Sequence, residues 1–131
     1  MDKTKKIWEK AKETASNSDQ IRTTLTAAGK KIKRVAENSE ELKDLKSKLQ
    51  ILIKMAQSHI SGAYRAFPVS SILLIVFALL YFVTPTDLIP DFIPALGFAD
   101  DASVVYLITK KLNKDIVHFQ KWERNQANPT D

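Results

Sequence analysis

The sequence predicts an all-α protein, in which N-terminal amphipathic helices are followed by a hydrophobic helical hairpin joined by a Pro/Asp-rich loop. Three observations carry this. Apolar residues recur at three- and four-residue intervals through most of the first sixty positions, the period of a helix with one buried face. Residues 72–83 contain no polar side-chain atom beyond the Tyr81 hydroxyl. Glycine is scarce, three in 131 residues, while prolines cluster after that apolar run. A chain of this length suits one domain with a modest core.

The first helix is expected over residues 4–16, with Ile7, Trp8, Ala11 and Ala15 on one side. The capping residues Ser16, Asn17, Ser18 and Asp19 break it. A second stripe follows in Ile21, Leu25, Ala28, Ile32 and Val35, with Lys30, Lys31, Lys33 and Arg34 around its polar side. Those four cations read as a solvated face or, alternatively, as a lipid-facing basic rim. Residues 37–41 end this helix and start another, where Asn38 and Glu41 fit a capping-box spacing. Leu42, Leu45, Leu49, Leu52, Ala56 and Ile60 then form a seam, widened by Ile51, Ile53 and Met55. Such a seam reads first as an intramolecular contact and second as a homodimer interface. His59 and His118 are isolated, without the paired spacing of a histidine metal site.

Residues 66–83 carry no formal charge over 18 positions, at the lower edge of the ~20 that span a bilayer. A helix apolar on every side also occurs at the centre of a bundle. In a chain this short, with few flanking helices to cover it, a transmembrane helix is the expected reading. Residues 102–108 are too short for a second span unless Asp91, Asp100 and Asp101 enter the bilayer, at several kcal/mol each. Arg65 on one side and Lys110, Lys111 and Lys114 on the other flank an interval free of Lys and Arg. The positive-inside tendency then puts both termini in the cytoplasm, as a helical hairpin or re-entrant pair.

Between the apolar helices lies a knot of prolines and acids. Thr84, Pro85 and Asp87 have the residue types of a helix start. Gly97 supplies a permissive turn, after which Asp100 or Asp101 can cap the next helix. Capping leaves Asp91 and one other acid unexplained. If the segment folds back on itself, Asp87, Asp91, Asp100 and Asp101 become candidate ligands for a hard cation, Mg²⁺ or Ca²⁺. Residues 113–131 read as a last helix with Ile116, Val117, Phe119 and Trp122 as apolar contacts and a fraying polar end.

Tyr81, Pro85, Asp87, Leu88, Ile89, Pro90, Asp91, Ile93, Pro94, Gly97, Asp100 and Asp101 resemble the signature of the YkvA-like family, domain of unknown function 1232. The pattern Y-x-x-x-P-x-D-L-I-P-D-x-I-P-x-x-G-x-x-D-D is matched throughout. The resemblance implies a small, often membrane-assigned bacterial protein, with no established reaction and therefore no catalytic residue to carry over. It divides the chain into a basic amphipathic extension, 1–38, and a YkvA-like helical domain, 39–131. The domain holds the hydrophobic segment 66–83 and the Pro/Asp motif 84–101.

Charge and composition bound the function. Residues 1–65 hold fifteen Lys/Arg and eight Asp/Glu, and residues 66–131 hold five and seven, so the front half carries the positive charge. A basic segment ahead of an apolar run suits the cytoplasmic side of an anionic membrane. Nucleic acid is disfavoured, because acids alternate with the bases and Trp8 is the only aromatic before Tyr64. The absence of cysteine excludes disulfides, thiol catalysis and thiolate metal sites. Residues 1–12 lack the apolar region of a signal peptide. No Ser/His/Asp set or phosphate-cradling glycine loop accompanies the acids. The expected function is a non-enzymatic binding or scaffolding module at a bacterial cytoplasmic membrane, without a cofactor and with a protein partner. The alternative is an acid-cluster cation-binding protein or metal-dependent hydrolase.

Overall fold

The computed structural model describes residues 2–35, 37–83 and 99–127, with side chains over 5–35, 37–83 and 103–126. These residues form six helices and no strand: α1 (Asp2–Ala15), α2 (Ser18–Ile32), α3 (Glu40–Ser61), α4 (Val69–Val83), α5 (Ala99–Lys111) and α6 (Asn113–Ala127). The all-α expectation holds.

Local chemistry sets the ends. The Asn17 side chain accepts the Gln20 N–H at 3.1 Å and starts α2. Ser39, in extended geometry, accepts the Leu42 N–H at 3.1 Å and starts α3. The cap is therefore Ser39 and not Asn38: both side chains have the oxygen, but Ser39 is the residue just outside the first helical turn. Gly62 ends α3 with φ +83°, a left-handed geometry that costs residues bearing a Cβ. The Ser58 carbonyl then accepts the Tyr64 N–H at 3.1 Å, turning the chain toward α4.

α4 is the centre of the structure. α1, α2, α3 and α5 all pack against it, and α3 packs in turn on α2, α5 and α6. Nine of its fifteen residues are buried, among them Ile72, Ile75, Val76, Leu79 and Phe82. Burying a side chain of this size contributes roughly 1.5–3 kcal/mol. The stripe residues Ile21, Leu25, Ala28, Ile32 and Val35 are buried as expected, and so are Leu45, Leu49 and Leu52. The leucine seam of α3 is an intramolecular contact.

The transmembrane helix expected at 66–83 finds no support among the described residues, where no helix is long and apolar enough to cross a membrane. Pro68 precedes the helix, and Phe67 is buried outside it. The remaining fifteen residues rise about 22 Å against a hydrocarbon core of about 30 Å. The expectation undercounted the cover, because α1 and α2 each lay an apolar stripe on α4. One further departure is smaller. Val117, expected as an apolar contact, is 48% exposed.

Candidate functional site

Tyr81, the first residue of the motif, is buried in the last turn of α4. Pro85, Asp87, Pro90, Asp91, Pro94 and Gly97 lie outside the described residues. Asp100 and Asp101 are placed by their backbone alone. Among the described residues, no group of three or more His, Asp or Glu could hold a metal ion.

The structure does show what stands where the motif begins. Lys31 of α2 reaches across 51 positions of sequence and donates its Nζ–H to the Phe82 carbonyl, at 2.5 Å. The same ammonium lies 4.8 Å from the centroid of the Phe82 ring. A cation is favourable toward the C-terminal end of a helix, where the aligned peptide dipoles are negative. Lys31 thus leaves the solvated face to which its neighbours belong. Lys30, Lys33 and Arg34 remain exposed. The short link at Ser16–Asn17 returns the chain, so Trp8 of α1 meets Phe77 edge-on, 5.5 Å between centroids, one turn before Phe82. The exposed Lys5 and Lys6 therefore belong to the same end of the bundle as Lys30, Lys33 and Arg34.

A different surface surrounds the junction of α5 and α6. Lys110, Lys111, Lys114, Lys121 and Arg124 are exposed there. The two acids of α6 turn inward: Asp115 accepts the Ser71 hydroxyl at 2.5 Å, and Glu123 pairs with Lys54 at 3.2 Å. Among the described residues four large apolar side chains stand exposed, Val69 at 84%, Leu107 at 65%, Tyr106 at 57% and Val117 at 48%. All belong to the start of α4, to α5 or to α6. Tyr106 edges a groove of about 440 Å³ between α3, α5 and α6, with Lys48 5.4 Å above its ring. Lys48 also pairs with Asp44 at 2.7 Å, and Lys110 edges the same groove from α5.

The inner side of α6 is held by aromatics. Tyr64 packs on Phe67, Phe119 and Trp122 at 4.7, 5.4 and 5.1 Å. Rings in direct contact leave no cage between them for a cation. His59 lies against Phe67 at 6.4 Å, with a buried Nδ1 that has no hydrogen-bond partner among the described residues. Burial, and secondarily the Arg65 guanidinium, holds its pKa below the usual histidine value. His118 is exposed. The exposed Leu107 and Val117 escaped the sequence reading, since both fall in helical segments where apolar residues are taken as inward.

Residues 71–107 match the family model described as protein of unknown function (DUF1232). A relative is the "Uncharacterized membrane protein YkvA" of Bacillus subtilis (strain 168), 44% identical over 62 residues. The match covers 47% of this chain and 58% of that protein. No solved structure matches the chain.

Proposed function

We propose that this protein is a helical module attached to the face of a bacterial cytoplasmic membrane, acting by binding and without catalysis. The observation that carries the reading is the relative named a membrane protein, 44% identical over the stretch it shares with this chain. The covered position of α4 favours attachment at the surface over a crossing, because insertion would strip α1, α2, α3 and α5 from it. The net positive charge of the chain, +5, favours an anionic leaflet by long-range attraction. A protein partner or a second copy would bind the attached module. Fractionation of cells expressing the untagged chain tests the reading. Recovery with membranes and release by alkaline carbonate are expected. Retention after carbonate would establish an inserted helix, and complete recovery in the soluble fraction would refute membrane attachment. The alternative, a cation site or hydrolase centre built from Asp87, Asp91, Asp100 and Asp101, rests on residue types alone.

A further inference from the structure

We infer that the outward face of α5 and α6, formed by Leu107, Lys110, Lys111, Lys114, Val117 and Lys121, is the surface that docks on an anionic bilayer. The inference rests on membrane attachment and names the face that makes it. On a helix, positions three and four apart are neighbours, so Leu107 shares a face with Lys110 and Lys111, and Lys114 with Val117 and Lys121. The last bond of α5, from Leu112 N–H to Ile108 O, and the first of α6, from Ile116 N–H to Leu112 O, each 2.9 Å, meet at Leu112, so α6 follows α5 with no intervening loop and their exposed residues adjoin at that turn. All six residues are exposed.

The composition of this face selects its occupant. A bilayer surface accepts cations at its headgroups and apolar side chains just beneath them. Asp115 and Glu123 do not oppose the lysines outward, since both are engaged with other elements. Nucleic acid would need a stacking platform, and the exposed aromatic nearby, Tyr106, already lies under Lys48. The cationic end at Lys5, Lys6, Lys30, Lys33 and Arg34 differs: Ile7, Ile32 and Val35 beside it are buried, so among the described residues its charges have no exposed apolar side chain next to them. An exposed leucine and valine flanking three lysines have no use in the interior of this bundle. They fit the depth at which an interfacial helix settles.

Vesicle flotation of the full chain tests this, using phosphatidylcholine alone and mixed with phosphatidylglycerol. The parent should float with the anionic vesicles and much less with the neutral ones. L107S/V117S and K110Q/K111Q/K114Q/K121Q should each bind anionic vesicles at least about tenfold more weakly. K30Q/K33Q/R34Q should bind within about threefold of the parent, the smaller effect of charges lacking an anchor. Circular dichroism melts keep folding separate from binding, and substitutions at exposed positions should leave them unchanged. If both face variants float as the parent does, the face is wrong while membrane attachment stands. If the parent floats with neither vesicle, attachment falls and the inference with it. A parent dimer that L107S/V117S dissociates, with vesicle binding unaltered, would assign the face to a second copy and overturn the proposal.

Discussion

Replacing Lys31 with methionine removes a charge and a donor while keeping an unbranched apolar stem of similar length. In the native structure the ammonium donates to the Phe82 carbonyl and sits 4.8 Å from the Phe82 ring. A hydrogen bond to a charged group contributes about 1.5–3 kcal/mol, and a cation at a helix C-terminus about 0.3–1 kcal/mol. The ring contact adds about 0.5–1 kcal/mol, and these figures overlap because one ammonium makes all three contacts. Immobilising a lysine offsets up to about 2 kcal/mol of that total. The expected net loss for K31M is therefore about 2 kcal/mol. With a urea m-value of roughly 2 kcal/mol/M, the midpoint should fall by about 1 M with the slope unchanged. Lys30 is the control, being one residue away and exposed; K30M should move the midpoint by less than about 0.5 kcal/mol equivalent. If K31M and K30M shift alike, Lys31 does not hold the end of α4, and the clamp at the motif's entrance does not exist.

Gly62→Ala should cost about 1–2 kcal/mol, read as a lower melting temperature, because φ is +83°; the Arg65 guanidinium 3.2 Å from the added Cβ can swing away. Gly62→Asn should cost less, since Asn tolerates the left-handed region better. The lowered pKa of His59 means the unfolded chain binds the proton more readily, so stability should fall as pH drops below about 6.5 and level off below the folded pKa. His59→Phe should flatten part of that pH dependence, measured as urea midpoints between pH 7 and 5. Alanine at Asp87, and at Asp100 or Asp101, should lower stability by about 0.5–2 kcal/mol through a lost cap, by amounts that do not change with Mg²⁺, Ca²⁺ or a chelator. A stabilisation of the parent by either ion that Asn at any of the four abolishes would instead establish a metal site.

Much of the architecture is local and was readable without coordinates. Helical periodicity placed Ile21, Leu25, Ala28, Ile32 and Val35 on one buried face and Leu45, Leu49 and Leu52 on another. It did so because a 3.6-residue repeat is a property of each segment by itself. The motif from Tyr81 to Asp101 was readable for the same reason, as a fixed order of residue types. The position of α4 was not. A helix apolar all round is stable in lipid or inside a bundle, and only the arrangement of the other helices decides which. Here α1, α2, α3 and α5 cover it. The role of Lys31 was equally hidden, since its partner lies 51 positions away and its neighbours are ordinary solvated cations. Leu107 and Val117 complete the contrast: their apolar character is written in the sequence, but their exposure depends on which side of α5 and α6 the rest of the bundle occupies.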